Sequence, residues 1–259
     1  MRDLPRPIPP HDAHTHTVFS DGHASVREMA LAAEAVGLDS IAITDLAGPD
    51  AGGIDAHVDE VEHVARESEV AVLAGVELPI LDASGRLALP GGDFGRLRLV
   101  LAGLGEETEG IATDVPADRS RLVDRVFAAY TAAVESGHVN VLARPFNLGR
   151  FPAPLTPDEL PRAWVRDLGR LMAERDVMFE LAADAWWWQP DLPAVDFMLQ
   201  WVPVLQVFAR HDVRFVAGTG AREAAAVGNN HFTRRIMRLA GIELSQLVNL
   251  RGIARRRRP

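Results

Sequence analysis

Two histidines separated by a single residue, His14 and His16, are the strongest candidates for chemistry in this chain. They belong to the sequence Asp-Ala-His-Thr-His at residues 12–16, which we expect to form a short first strand. Because residues two apart in a strand point to the same side, both imidazoles can bind one metal ion. Asp12 is placed to accept a hydrogen bond from an imidazole N–H and so orient that ring. The spacing predicts a metal or ligand site.

Three carboxylates follow closely enough to join the two histidines. Asp45 ends the apolar run at residues 40–44, and Glu77 comes just after the run at residues 70–75. In a parallel barrel, a carboxylate at the carboxyl end of a strand lies at the mouth, where active sites form. Asp21 follows the histidines in a Ser-Asp-Gly triplet. The alternatives are a helix N-cap for Asp45 and a solvent-exposed loop position for Glu77.

Alternating strands and helices would have to position these side chains. Short runs rich in Val, Ile and Leu, typical of strands buried on both faces, cover residues 40–44, 70–75, 97–104, 139–143, 177–182 and 213–218. Helical patterns lie between them, with capping boxes at Ser25/Glu28 and Thr156/Glu159, and further helices over residues 55–68, 119–137, 194–211 and 230–239. About seven such units predict a parallel sheet with right-handed crossovers. No glycine-rich phosphate loop follows the first strand, so the pattern favours a barrel, with rim loops at residues 48–53 and 82–95.

Composition narrows the class of protein. The 259 residues are 47% hydrophobic and contain no long uncharged apolar stretch, which predicts a soluble protein without a membrane span. The first ten residues have no apolar core of a secretory signal, so we expect a cytoplasmic location. The chain has neither cysteine nor lysine, which excludes thiolate sites and Schiff-base chemistry. A net charge of −9 argues against a general nucleic-acid-binding role, and the arginines at 255–258 are expected to form a solvated tail.

The order of these motifs resembles the PHP (polymerase and histidinol phosphatase) superfamily. The resemblance is carried by Asp-x-His-x-His, Ser-Asp-Gly, the run Gly-Leu-Asp-Ser-Ile-Ala-Ile-Thr-Asp ending at Asp45, and Gly-Val-Glu ending at Glu77. It continues through LARP (142–145), FELAAD (179–184) and GTGAR (218–222), and so extends from about residue 10 to about residue 235. It implies one distorted (β/α)7 barrel domain over residues 1–259, with an arginine-rich tail over 252–259. It also implies up to three divalent ions and hydrolysis of phosphate esters.

Matched residue by residue, the resemblance implies that His14, His16 and Glu77 are metal ligands, and it places Asp21 at a position used by His or Asp. Other ligand positions have changed: Leu46, Arg144 and Arg222 stand where the family has His, and Gly220 stands where it has Asp. A further family histidine near the fourth strand has no counterpart here, because no His occurs between His63 and His138. The resemblance therefore implies a reduced centre with one divalent ion (Zn, Mn or Fe) or with none.

These residues leave several functions open, of which a phosphoesterase-like hydrolase is favoured. In that interpretation Asp21 and Asp45 are catalytic, as a fourth ligand or a general base, and the substrate is a small phosphorylated or anionic molecule. Arg144 and Arg222 would bind the anion through paired hydrogen bonds. The alternatives are a catalytically inactive, PHP-derived anion-binding protein, and a lyase or oxygenase that uses the reduced site. A membrane is not expected as a partner, nor any nucleic acid beyond a small nucleotide.

Two further features border the predicted mouth. Glu180 lies at a strand end from which its carboxylate could reach the metal site. The run Trp186-Trp187-Trp188 follows the same strand, where the rings either stack on a flat ligand or pack against a helix or another subunit.

Overall fold

Seven parallel strands form a nearly closed barrel in the computed structural model, which describes residues 9–48 and 54–255. The strands are β1 (His11–Asp12), β2 (Ser40–Ile43), β3 (Ala71–Asp82), β4 (Leu99–Glu109), β5 (Val141–Leu142), β6 (Met178–Ala182) and β7 (Phe215–Gly218). They are paired in sequence order, and every ladder is parallel. The predicted (β/α)7 barrel is confirmed. Residues 49–53 of the expected rim loop, and residues 256–259 of the expected tail, lie outside the described residues.

Helices surround the barrel and alternate with its strands. They are α1 (Val26–Ala35), α2 (Asp55–Glu67), α3 (Arg119–Glu135), α4 (Arg162–Glu174), α5 (Ala194–Arg210), α6 (His231–Ala240) and α7 (Leu250–Arg255). The last of these was not predicted. None of the helices formed by the described residues has the length and apolarity that a membrane span requires.

The two predicted capping boxes have different outcomes. Ser25 and Glu28 form the box that starts α1, as expected. The box of Thr156 and Glu159 closes only a short 3-10 turn, and α4 begins later, at Arg162. Pro161 explains the difference, because a proline disfavours helical backbone at the preceding residue and the helix must restart after it.

The first strand is shorter than expected, and its continuation closes the barrel. The ladder covers only His11 and Asp12. Beyond it, the Ala13 N–H donates to the Ala217 carbonyl at 2.7 Å, and the Thr44 N–H donates to the Thr15 carbonyl at 2.8 Å. The segment carrying the two histidines is therefore held between β2 on one side and β7 on the other.

Strands β3 and β4 are longer than the sequence indicated. They stay paired through Ile80 and Leu104, and after an irregularity they meet again at Asp82 and Glu109. The rim loop expected from Asp82 onwards therefore starts one residue later. This extension also places Glu77 inside β3, opposite Leu101, rather than just beyond the end of a strand.

His11 makes the stability of the barrel seam dependent on pH. Its Nε2 accepts a hydrogen bond from the Ala217 N–H at 3.0 Å, and burial lowers the pKa of His11 to about 4. Between pH 6.5 and 4 the unfolded chain therefore binds a proton that the folded chain excludes, so stability falls as the pH falls. By linkage this loss is on the order of 3 kcal/mol across that window.

We predict that His11→Gln, which keeps an acceptor but does not titrate, has a shallower loss of stability between pH 7 and pH 4.5. Urea unfolding at a series of pH values measures the slope. His138→Gln, at an exposed position, is the control and should retain the wild-type slope. Equal slopes for His11→Gln and the wild type would contradict the prediction.

Candidate metal centre

Three buried side chains meet at the mouth of the barrel. His14 and His16 follow β1, Glu77 lies in β3, and one ligand atom from each lies within 4.8 Å of the others. Nε2 of His14 is 3.0 Å from Nε2 of His16 and 2.9 Å from Oε2 of Glu77. Nε2 of His16 is 3.5 Å from the same carboxylate oxygen. Two imidazole nitrogens and a carboxylate oxygen form the donor set of a single zinc-type ion, so these residues fit a divalent metal. The structure brings together the three ligands named from the sequence.

Glu180 orients the first histidine. Its Oε1 lies 2.8 Å from Nδ1 of His14, and its Oε2 accepts the backbone N–H of Arg144 at 2.6 Å. When Nδ1 carries the proton, Nε2 of His14 keeps a lone pair that faces Glu77 and His16. Burial lowers the pKa of His14, but the charges of Glu180 and Glu77 outweigh it and raise that pKa to about 9. The strand-end carboxylate that the sequence suggested does reach the site.

Asp21 lies beside the second histidine, in a contact less well aligned than that of Glu180 with His14. Its Oδ1 is 3.1 Å from Nδ1 of His16, which makes no well-formed hydrogen bond, and its Oδ2 accepts from Nε of Arg222 at 2.7 Å. The contact with His16 and the charge of Arg222 hold the pKa of Asp21 far below its usual range, although partial burial opposes this shift. Each histidine thus has its own carboxylate on Nδ1.

Arg144 lies against the three candidate ligands. Its Nη2 donates to Oε1 of Glu77, and its Nη1 is 3.4 Å from Nε2 of His14. Burial raises the pKa of Glu77, but Arg144 and His14 together hold that pKa well below its usual value. The Arg144 guanidinium therefore compensates the charge of the buried Glu77 carboxylate. The backbone of Arg144 is left-handed, with φ of 43°, shortly after the two-residue strand β5.

Asp45 lies outside the ligand cluster. Its two carboxylate oxygens accept from the Thr17 N–H at 2.6 Å, the Thr17 hydroxyl at 2.7 Å and the Ser20 hydroxyl at 2.6 Å. Nε2 of His57, on α2, is 3.3 Å from its Oδ2. No role for His57 was evident from the sequence. Its position beside Val58 on the buried face of α2 could have indicated a polar contact, because a buried histidine needs a polar partner.

Asp12 does not contact an imidazole, so the expectation that it orients one is wrong. Its carboxylate accepts from the Thr219 N–H at 3.0 Å, the Thr219 hydroxyl at 2.6 Å and the Gly228 N–H at 3.0 Å. The backbone N–H of His14 is 3.4 Å away. The side chain is directed to the seam between β1 and β7, where these donors need an acceptor. Asp12 therefore ties the segment after β7 to β1.

Two positions at which this chain departs from the family pattern, Leu46 and Gly220, border the same mouth. Leu46 forms a parallel backbone bridge with Glu77. Gly220 has a φ of 62°, and a Cβ built on it would lie 3.9 Å from Nη1 of Arg144. A side chain at position 220 would therefore adjoin the Arg144 guanidinium.

The tryptophan run also borders this mouth. It forms a short 3-10 turn in which Trp186 and Trp187 are about half-exposed, while Nε1 of Trp188 donates to Asp184 at 3.1 Å. The guanidinium carbon of Arg144 is 5.8 Å from the centre of the Trp188 ring. Arg150 stacks on Trp187 at 3.4 Å.

Comparison with known sequences points to one family. The PHP domain family model matches residues 12–147. A probable phosphatase of Caldanaerobacter subterraneus subsp. tengcongensis is 31% identical over 157 residues, which cover 58% of this chain and 55% of that protein. A probable phosphatase of Thermoanaerobacter sp. strain X514 is 34% identical over 142 residues, covering 52% of this chain and 54% of that protein. The matched region therefore spans about half the length of these curated relatives.

Comparison with solved structures supports the fold. The crystal structure of histidinol phosphate phosphatase from Lactococcus lactis subsp. lactis, complexed with zinc, L-histidinol and phosphate, aligns with a TM-score of 0.66. The alignment covers 90% of this chain and 94% of that one, at 17% sequence identity. This similarity extends the shared barrel well beyond residue 147.

Gly218, at the end of β7, leaves room for the side chains of Glu180 and His14. A Cβ added there would lie 2.1 Å from Oε1 of Glu180 and 2.6 Å from Cβ of His14. We predict that Gly218→Ala lowers the stability by about 1–3 kcal/mol, the usual cost of overpacking a core, and weakens zinc binding because it displaces His14. Calorimetric unfolding and zinc titration measure the two effects.

Gly105→Ala is the matched control, because a Cβ at that glycine would meet nothing within 4 Å. It should leave both quantities unchanged. Wild-type stability and zinc affinity in Gly218→Ala would show that the site tolerates a methyl group there.

Proposed function

The chain belongs to the PHP domain family, and from that premise we propose that it is a metal-dependent phosphoesterase acting on a small phosphorylated or anionic molecule. The observation that carries the proposal is the convergence of His14, His16 and Glu77 at the barrel mouth, within 4.8 Å of one another. Two further findings support it. The curated relatives, which match over about half of their length, are named probable phosphatases. The solved neighbour is a phosphatase crystallised with zinc and phosphate.

We propose that His14, His16 and Glu77 hold one divalent ion, whether zinc, manganese or iron. A divalent ion held by three protein ligands supplies Lewis-acid chemistry and lowers the pKa of water to about 7. Glu180 holds the Nδ1 proton of His14 and so fixes which nitrogen faces the ion, and Asp21 lies beside Nδ1 of His16, 3.1 Å away. The proposed centre has one ion because leucine, arginine and glycine at positions 46, 144, 220 and 222 provide no metal-binding side chain.

Asp21 is the better of the two proposed catalytic carboxylates. It is partly exposed and beside His16, and we propose that it acts as a fourth ligand, or as a base once substrate draws Arg222 away, because its pKa is strongly lowered while that ion pair lasts. The oxygens of Asp45 already accept hydrogen bonds from Thr17 and Ser20, which leaves that carboxylate little capacity for substrate. Because Ser20 precedes Asp21, we propose that Asp45 acts by positioning the loop that carries Asp21.

Two arginines compensate in this proposal for the missing second and third ions. Arg222 directs both Nε and Nη2 at Asp21, at 2.7 Å and 2.6 Å, and its side chain is 44% exposed. The same two donors match adjacent oxygens of a phosphate group, which would have to replace the Asp21 carboxylate in order to accept them. Arg144 provides a second positive charge, next to Glu77. An anionic substrate would thus meet two guanidinium groups beside the proposed metal ligands.

The proposal predicts that the protein binds about one equivalent of a divalent metal in equilibrium dialysis against zinc or manganese, counted by elemental mass spectrometry. The double variant His14→Ala/His16→Ala should lose the metal together with any hydrolysis of an aryl phosphate. Iron and oxygen dependence would favour the oxygenase alternative. Two or three equivalents would mean that further ligands exist, whereas none would rule out metal-dependent hydrolysis and leave anion binding.

We also predict that Arg222→Ala weakens binding of inorganic phosphate about tenfold, the effect of losing a charge-assisted hydrogen-bonding pair. Isothermal titration calorimetry measures the affinity. Arg214→Ala is a matched control, because Arg214 is 46% exposed and paired with Asp176, but precedes β7 at the opposite end of the barrel. Unchanged phosphate binding in Arg222→Ala would count against the arginine as an anion ligand.

A further inference from the structure

The Arg144 guanidinium contacts the same residues that are arranged to bind a metal ion. One of its nitrogens donates to Oε1 of Glu77, and the other lies 3.4 Å from Nε2 of His14. The side chain is only 17% exposed, so solvent screens these contacts little. An arginine paired with a buried metal-ligand carboxylate competes with any cation for that carboxylate.

Several contacts hold Arg144 in this position. Its backbone N–H donates to Oε2 of Glu180 at 2.6 Å, and its guanidinium carbon is 5.8 Å from the centre of the Trp188 ring. Glycine at position 220 leaves room beside Nη1 that a larger residue would fill. The left-handed backbone at position 144, with φ of 43°, is uncommon for a residue with a side chain. The surrounding structure thus maintains an uncommon conformation that places the guanidinium on Glu77.

The negative charges of two neighbouring carboxylates explain why a cation is needed beside Glu77. Glu77 and Glu180 are both buried, and two ionised carboxylates close together in the barrel mouth require positive charge nearby. Arg144 interacts with both, through its side chain to Glu77 and its backbone to Glu180. A divalent ion at His14, His16 and Glu77 would meet Coulombic repulsion from the guanidinium and would compete with it for Glu77.

We propose that Arg144 substitutes for a cation at Glu77, and that a divalent ion binds His14, His16 and Glu77 only by displacing the guanidinium. The inference rests on the proposed metal site but goes beyond it, because it makes Arg144 a determinant of metal affinity. Metal binding then frees the guanidinium donors at the mouth, where an anion can accept them. Arg144 thereby couples occupancy of the metal site to the availability of an anion-binding group.

The first test is the zinc affinity of Arg144→Gln, measured by competition with a chromogenic chelator. We expect the variant to bind zinc at least about tenfold more tightly than the wild type, because it lacks the competing charge. In the presence of chelator its melting temperature should fall below that of the wild type, and zinc should restore it. Arg150→Gln, which removes another arginine of this rim, should have wild-type zinc affinity.

Equal or weaker zinc binding by Arg144→Gln would overturn the inference while leaving the metal site intact. If neither protein binds zinc, nor manganese or iron(II) in the same competition assay, both the inference and the proposed metal-dependent function fail.

The second test uses the wild-type protein and does not depend on folding of the Arg144 variant. Because the guanidinium lies over Trp188, its displacement should change the fluorescence of that ring when zinc is added. Trp188→Phe should bind zinc but lose most of this change. Zinc binding without a fluorescence difference between the wild type and Trp188→Phe would show that the guanidinium stays in place, and would overturn the proposal.

Discussion

Burial of Glu77 and Glu180 in the barrel mouth is the constraint on which the rest of the site depends. A buried carboxylate is tolerated only with compensating charge or hydrogen bonds. His14 lies between the two acids, with one ring nitrogen 2.8 Å from Glu180 and the other 2.9 Å from Glu77. Arg144 and the segment after β1 bring a guanidinium and an imidazole to these acids, and Gly218 leaves the room that Glu180 and His14 need.

The site repeats one arrangement on two levels. His14 has Glu180 on Nδ1 in the interior, and His16 has Asp21 on Nδ1 nearer the solvent. An arginine accompanies each pair: Arg144 inside and Arg222 outside. Hydrogen bonding to Nδ1 fixes the imidazole tautomer and orientation, which a metal ligand needs. His14, His16 and Glu77 thus form one compact group of possible metal donors, with Glu180 and Asp21 beside the two rings.

The features that depend on residues close together in the sequence could be predicted. The spacing of His14 and His16 was sufficient to place both rings together. Six short apolar runs, with the first strand expected around residues 12–16, were sufficient to identify seven strands. The pairing of Asp12 with Thr219 and Gly228 was not predictable in this way, because it joins opposite ends of the chain across the barrel seam. The same applies to His57, whose contact with Asp45 depends on how α2 packs. Pro161 shortened the turn after Thr156, although the rule that a helix restarts after proline was readable from the sequence.

Closure of the barrel has a consequence for the growing polypeptide. Ala13 finds its hydrogen-bond acceptor at Ala217, and His14 finds its orienting carboxylate at Glu180, 166 positions further along the chain. When the histidines emerge from the ribosome, the groups that will hold them have not been synthesised. Contacts this distant are slow to form, and chains of this size commonly fold through intermediates. The two histidines therefore remain without their final geometry until residues 180 and 217 have been synthesised, so a chain that ends before them carries the histidines without the site.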